Sequence, residues 1–344
     1  MELKDVAAGS DNGLVVIPCL NEEGCIAAVI ENVLRDPAAD KLLIIVADGG
    51  SADRTLEIVS KFAARAQNVR LISNPLRIQS AGVNHAARQY GKGQQWLIRM
   101  DAHAEYPEAF VSQLISEARR TRASSVVVAM KSLGNGCFQQ AAATAQNTIL
   151  GAGGSPHRRN GAEGFVDHGH HALFDMREFL ALNGYDETQS HNEDAEFDCR
   201  LMGAGGRIWL TRAIRIGYYP RGRPDELYFQ YRNYGRGRAT TILRHRARPK
   251  LRQLLPAAVA PSAALLLATP LFAVAALPCA LWLAVCLVFG ASLGLRERKR
   301  CAFASGFAAI VMHLGWSIGF WSAFLNGTTR GRWPWRHLVA ESTQ

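Results

Sequence analysis

The chain has 344 residues, 48% apolar and 20% charged, so it can bury a core and has length for a full catalytic domain and more. Lys and Arg outnumber Asp and Glu by 39 to 29. An even spread of that charge is excluded: between Arg207 and Arg252 thirteen basic residues face only Asp225 and Glu226, a local net of +11 that accounts for the whole imbalance. Nucleic acid and anionic membrane surface both attract such a stretch.

Residues 1–13 are polar, and the first apolar run, LVVIP, is too short for a signal-peptide core, so the first 250 residues are expected to stay in the cytoplasm. Short β-rich runs follow at 14–18 (LVVIP), 42–47 (LLIIVA), 69–73 (VRLIS), 95–99 (QWLIR) and 125–129 (SVVVA). Segments of helical length lie between them at 22–35, 52–66, 78–91 and 107–122. This alternation predicts a mostly parallel sheet covered on both faces. Such sheets bind ligands beyond the carboxyl ends of their strands. Those ends read Pro18-Cys19-Leu20-Asn21-Glu22-Glu23, Asp48-Gly49-Gly50-Ser51-Ala52-Asp53, Ser73-Asn74 and Asp101-Ala102-His103. Singly, each has a plain explanation: Asn21 or Ser51 caps the next helix, and Glu22 and Glu23 suit a helix first turn. Four such ends on one edge point to a site. The first turn lacks GxGxxG, which disfavours dinucleotide binding, and no GxxxxGK[ST] occurs, which excludes a P-loop nucleotidase. GAGGS (151–155) follows no strand and reads as a mobile loop.

From Leu254 to Leu295 run 42 residues without a formal charge. About 20 apolar residues cross a bilayer as a helix, so this run reads as two spans, with Pro278 suited to the turn. The basic clip RERKR (296–300) follows, and then the uncharged run Cys301 to Leu325, which contains His313 and reads as a third membrane segment. A basic stretch that abuts such runs, without interleaved stacking platforms, speaks against nucleic acid. Arg244 to Arg252 and Arg296 to Arg300 flank the hairpin and belong inside. A third full span would put Thr328 to Arg336 outside, so the last segment is re-entrant, interfacial or an exception to the charge rule. The seven cysteines are scattered without a CxxC pair, and reduced thiols are expected. The domain plan is a catalytic domain at 1–240, a basic juxtamembrane segment at 241–253, a membrane region of two to three helices at 254–325 and a tail at 326–344.

VVIPCLNEE, IIVADGGSADRT, NPLRIQSAGVNHAAR, MDAHAEYP and NEDAEFDCRL, in this order and spacing, resemble the family 2 inverting glycosyltransferases of the GT-A fold. The likeness covers about residues 14 to 240. The DAHAEYP box, the YGRGRA run and the apolar tail most resemble the bacterial succinoglycan-type ExoA glucosyltransferases, which extend a lipid-linked exopolysaccharide repeat unit at the inner membrane. The resemblance implies a Rossmann-like GT-A domain in the cytoplasm followed by C-terminal transmembrane helices.

It also implies roles for individual residues. Asp48 accepts a hydrogen bond from the base of a UDP-sugar. Pro18 and the Asn21-Glu22 turn line base and ribose, with Glu22 or Glu23 holding the ribose. The family's DxD box holds a divalent cation that offsets charge on the leaving diphosphate. Here it reads DxH: Asp101 faces ribose and metal, and His103 is a direct ligand. Imidazole suits softer ions, so Mn²⁺ stands beside Mg²⁺. The plain reading of His103 is a loop histidine bonded to backbone. An inverting transfer needs a general base, and Asp194 fits that position, with Glu193 orienting the acceptor. Asp198, on the same helical face, is expected to pair with Arg200 or Arg207. Asp167 and His170 of GFVDHGHHALF line the acceptor sugar; the histidines there lack zinc spacing. GYDET (184–188) matches a loop that shapes the acceptor mouth. QYRNYGRGR stands where processive synthases carry QxxRW but lacks the Trp, which favours a single addition. Arg236 and Arg238 reach the donor or lipid diphosphate through forked hydrogen bonds, or form a lipid-facing basic stretch.

The expected reaction moves a hexose, glucose first among them, from a UDP-sugar to a polyprenyl-diphosphate-linked saccharide, with other exopolysaccharide assembly enzymes as partners. Two alternatives stay open: a polyprenyl-phosphate glycosyl synthase, and a non-catalytic membrane scaffold that binds nucleotide or anionic lipid.

Overall fold

The β-rich runs become strands at their expected places in the computed structural model, which describes residues 12–329 apart from 156, 157, 159, 160 and 190. The first half of the chain runs β1 (Gly13–Cys19), α1 (Ile26–Leu34), β2 (Leu42–Asp48), α2 (Thr55–Arg65), β3 (Val69–Ser73), α3 (Gln79–Tyr90), β4 (Trp96–Arg99), β5 (Ala104–Glu105), α4 (Phe110–Thr121) and β6 (Ser125–Ser132). After it come α5 (Cys137–Gln146), α6 (Ile149–Ala152), β7 (Gly164–Val166), β8 (His170–Asp175), α7 (Met176–Ala181), α8 (Glu193–Gly203) and β9 (Ile208–Tyr218). The rest is helical: α9 (Pro224–His245), α10 (Leu251–Ala257), α11 (Val259–Ala264), α12 (Leu277–Glu297) and α13 (Ser305–Thr329). The chain forms two compact units: Met1–Met130 with Asn160–Tyr218, and Lys131–Arg159 with Tyr219–Gln344. Position 240, the boundary drawn from sequence, falls inside α9.

In the first unit β1 lies between β2 and β4, all three parallel, with β3 parallel outside β2. Side chains alternate across a strand, and both faces of β1 are buried. Val15 and Ile17 pack with Ile26, Ile30 and Val33 of α1 and Phe110 and Leu114 of α4. Leu14 and Val16 pack on the other face with Val83 and Ala86 of α3 and with Phe174, Phe179 and Phe197. Each fully buried Val, Leu, Ile or Phe contributes about 1.5–3 kcal/mol, which is why these runs hold the sheet's centre.

The sheet order is β3-β2-β1-β4-β8-β6-β9-β5, with β7 on β9. The expected mostly parallel sheet is therefore a mixed one. β8 enters antiparallel between β4 and β6, and β9 runs antiparallel to β5 and β7. Strand β6, the fifth β-rich run of the sequence, joins this antiparallel half. The chain leaves β1 toward β2 on one side and returns as β4 on the other. The crevice beyond β1 and β4 is thus the topological switch point where ligands bind.

Among the described residues, the second unit holds three segments long and apolar enough to cross a membrane, Leu251–Ala268, Ala273–Glu297 and Arg300–Gly327. The break between the first two lies at 269–272, not at Pro278, which occupies the first turn of α12. A proline there loses no helical hydrogen bond. α13 lies against α9, and a Cβ on Gly319 would stand 1.9 Å from the Arg232 carbonyl oxygen, so only glycine permits this approach. His313 is held between elements: its Nε2 donates to the Leu150 carbonyl (2.8 Å), and Trp282 Nε1 donates to its Nδ1 (3.3 Å). The GAGGS segment is not loop throughout, since 151–152 close α6. The expectation of reduced thiols also needs correction. Cys137, first in α5, is disulfide-bonded to Cys301, their Cα atoms 5.1 Å apart. Packing of distant segments brings the two within bridging range, and no local pattern announces that.

Candidate active site

The loops after β1 and β2 are laced to each other. Asn21, in a left-handed conformation (φ 57°), receives Ala52 N–H on its side-chain oxygen and gives its own N–H to Ser51 Oγ, both at 2.8 Å. Glu22 N–H donates to Thr55 Oγ1 (2.8 Å), Glu23 N–H to Asp53 (3.0 Å), and Arg54 N–H to the Glu23 carboxylate (3.0 Å). Asp48 is buried and turned onto its own loop. It accepts from the N–H groups of Gly50 (2.7 Å) and Ser51 (3.0 Å), from the Ser51 hydroxyl and from the Cys19 thiol. Burial, then the Asp48 charge, push the Cys19 thiol up, so it stays protonated as a donor. Pro18 is half-buried on β1 beside this loop.

Asp101 begins the turn after β4. Its carboxylate takes the Gln79 amide and lies 3.5 Å from both Arg99 Nε and His170 Nε2. Burial works against the charge, but Arg99, His170 and His103 outweigh it and hold the carboxyl down at about 2. His103 is 44% exposed, and its Nδ1 lies 3.0 Å from Glu22 Oε1. Glu22, expected on the ribose, thus reaches the imidazole expected on the metal.

The acid pair opens α8. Asn192 precedes it at φ 63°, and Asp194 Oδ1 accepts the Ala195 N–H (2.7 Å). Glu193 points inward onto Arg99, 3.2 Å from Oε1 to Nη1, both side chains 7% exposed. Burial pushes the Glu193 carboxyl up to about 7 against the pull of Arg99, and the Asp194 charge adds to the rise. Asp194 is half-buried at the helix start. Asp198 does not pair with Arg200 or Arg207. Its partner is His168, 2.6 Å from Nδ1 to Oδ2, while Arg200 holds Glu196 and Arg207 reaches the carbonyls of Thr121 and Arg122. His168 and His170 flank Gly169, so this segment touches both α8 and Asp101. Asp167 is half-buried in the same turn. Arg236, exposed, and Arg238, half-buried, lie on α9 of the second unit.

The model of "Glycosyl transferase family 2" matches residues 14–177. Over 317 residues the chain is 46% identical to the "Succinoglycan biosynthesis protein ExoA" of Rhizobium meliloti (strain 1021), covering 92% of this chain and 96% of that one. The chain belongs to glycosyl transferase family 2. A second relative, 24% identical over 66% of this chain and 73% of its own, is a dolichyl N-acetyl-alpha-D-glucosaminyl phosphate 3-beta-D-2,3-diacetamido-2,3-dideoxy-beta-D-glucuronosyltransferase of Methanococcus voltae. A mannosyltransferase of Pyrobaculum calidifontis, solved with GDP-mannose and Mn²⁺, superposes with a TM-score of 0.52 at 19% identity over 91% of each chain. That likeness is one of fold: a GT-A domain, here followed by apolar helices long enough to span a membrane.

For a glycosyltransferase, the donor set at Asp101 and His103 fits a divalent cation that substrate oxygens complete. Asp101 is kept anionic, His103 is accessible, and among the described residues no group of three or more His, Cys, Asp and Glu could hold a metal by itself. Three residues of the cluster were missed from sequence: Gln79, Arg99 and Tyr185. Gln79 opens α3 and Arg99 ends β4, where the pattern reads them as framework. Tyr185, whose hydroxyl lies 3.4 Å from Arg99 Nη1, was read only as part of the GYDET loop.

Proposed function

We propose that this glycosyltransferase inverts configuration as it moves one hexose, glucose, from a UDP-sugar to a polyprenyl-diphosphate-linked saccharide in exopolysaccharide synthesis. The observation that carries this reading is the 46% identity to the succinoglycan protein over nearly all of both chains. The Methanococcus relative, by its name a transferase acting on a dolichyl-linked sugar, supports a lipid-linked acceptor. The apolar segments and the basic stretch before them support an enzyme at the bacterial inner membrane, multi-pass, with residues 1–240 on the cytoplasmic side.

In this mechanism Asp194, at the half-exposed start of α8, takes the proton of the acceptor hydroxyl. The hydroxyl oxygen attacks the anomeric carbon, and the bond to the diphosphate breaks with its electron pair on the diphosphate. Glu193, held inward, steadies the base, while Asp167 and His170 line the acceptor sugar. Pro18, Asn21 and Asp48 shape the base pocket, and Asp48 exchanges part of its loop bonding for the base N–H. Asp101 and His103 would hold Mn²⁺ or Mg²⁺, and the bound cation would offset negative charge on the departing diphosphate. Arg236 and Arg238 offer planar forks to a diphosphate.

The test uses membranes that carry the chain, a panel of UDP-sugars, and an extracted lipid-linked saccharide pool, with and without Mn²⁺ or Mg²⁺. Metal-dependent incorporation from one donor, abolished by Asp101→Asn and Asp194→Asn, is expected. Transfer that survives Asp194→Asn would instead indicate a synthase that charges a lipid phosphate, which needs little base assistance.

A further inference from the structure

Arg99 ends β4 and is almost wholly buried. A buried guanidinium is costly unless its donors are met. Here Nη1 is hydrogen-bonded, while Nε has no hydrogen-bond partner and stands at ion-pair distance from a carboxylate, and the groups concerned lie far apart in sequence. Nη1 lies 3.2 Å from Glu193 Oε1 and 3.4 Å from the Tyr185 hydroxyl. Nε lies 3.5 Å from Asp101 Oδ1, and the guanidinium carbon is 5.7 Å from the centre of the Tyr185 ring. One rigid plane therefore touches the donor-side carboxylate at the end of β4 and the first residue of α8, next to Asp194.

We propose that Arg99 is a positioning residue for sugar transfer: its fork sets the start of α8, and with it Asp194, relative to Asp101. The inference rests on the reading of Asp101 as donor-side and Asp194 as the base. Nη1 is hydrogen-bonded to Glu193 and Nε stands at ion-pair distance from Asp101, so a single side chain lies between both carboxylates. A lysine ammonium, a single point charge on a flexible stem, cannot serve both at once. Transfer is sensitive to such spacing, since a misplacement of about 1 Å can lower a rate about 100-fold.

The test compares wild type, Arg99→Lys, Glu193→Gln and the double variant in the same membranes. Each is assayed for UDP-glucose turnover into the extracted lipid-linked pool, for donor KM, for UDP affinity and for thermal stability. Arg99→Lys is expected to lower kcat about 100-fold, with donor KM and UDP affinity within about threefold of wild type. Because Arg99 acts through Glu193, the double variant is expected to fall no further than the worse single one. A kcat within about threefold of wild type in Arg99→Lys overturns the proposal. So do losses that multiply in the double variant, or a kcat loss that only follows loss of folded protein. A wild type that transfers no sugar from any donor overturns the underlying functional reading, and this proposal with it; a working wild type beside an active Arg99→Lys overturns this proposal alone.

Discussion

Glu22 Oε1 lies 3.0 Å from His103 Nδ1, joining the loop after β1 to the turn after β4. A carboxylate can only accept, so Nδ1 carries the proton, and the ring's lone pair is directed to Nε2. Carboxylates behind a metal-binding imidazole act in this way, fixing ring and tautomer and raising basicity. Glu22 is placed to support His103 in this way. Glu22→Gln is expected to weaken Mn²⁺ binding in the presence of UDP by about 10–100-fold, with little change in stability. Titration of free Mn²⁺ by its paramagnetic signal measures this, and an unchanged affinity would remove Glu22 from that role.

The acid pair predicts how stability changes with pH. Glu193 titrates near 7 in the folded chain against an ordinary 4.5, because burial outweighs Arg99. The folded state then holds a proton that the unfolded state has released. This contribution is complete below pH 4.5 and is lost as pH rises to 7, about 3 kcal/mol in all. Asp101 runs the other way. Held at about 2 against 3.8, it stabilises above pH 3.8 and loses that contribution as pH falls toward 2. Relative to wild type, Glu193→Gln is expected to gain stability between pH 4.5 and 7 and then level off. Denaturant melts at half-unit pH steps give the curve, and a flat difference would show that Glu193 is ionised throughout.

β1 to β4 announced themselves because each is a short apolar run between breakers, buried on both faces. Their carboxyl ends followed from topology alone. The antiparallel half did not: β8 reads HHALFD and opens on His170, which lies against Asp101, so its alternation is obscured. Arg99 was hidden for the opposite reason, sitting inside QWLIR where a strand predicts framework. Asp48 was read with a single partner, a nucleotide base, while in the structure its carboxylate accepts from its own loop's N–H groups. Glu22 with His103, His168 with Asp198, and Cys137 with Cys301 are long-range pairs, and no local periodicity carries them.

The contact between α9 and α13 depends on missing side chains. Gly315 and Gly319 of α13 and Gly235 of α9 each bring a would-be Cβ within 2.5 Å of a facing carbonyl oxygen. Small residues are what let helices approach this closely in an apolar medium. Gly319→Leu is expected to force the pair apart and to lower the melting temperature of the detergent-solubilised chain by several degrees. Leu325→Ala, at an exposed position of the same helix, serves as the control. Equal melting of the two variants would mean that the close approach contributes nothing.

Asn84 offers the sharpest stability test, because one side chain satisfies a whole turn. Its oxygen takes the Tyr185 N–H at 2.8 Å, and its amide donates to the Tyr185 carbonyl (2.8 Å) and to Glu187 (2.9 Å). The turn reaches it through Gly184 at φ 65°, where a Cβ would stand 2.2 Å from the Asn84 oxygen. Asn84→Ala leaves a buried N–H and a buried carbonyl unmet, each worth about 1–3 kcal/mol, so a loss of about 2–6 kcal/mol is expected in urea melts. Asn84→Asp keeps the acceptor but loses the donor and sets a charge beside Glu187, so it is expected to do no better. Tyr185 also carries the ring and hydroxyl against which Arg99 rests. Activity in Asn84→Ala is therefore expected to fall even at temperatures where the chain remains folded. Full activity in the folded fraction would show that the Tyr185 wall is not needed to hold Arg99.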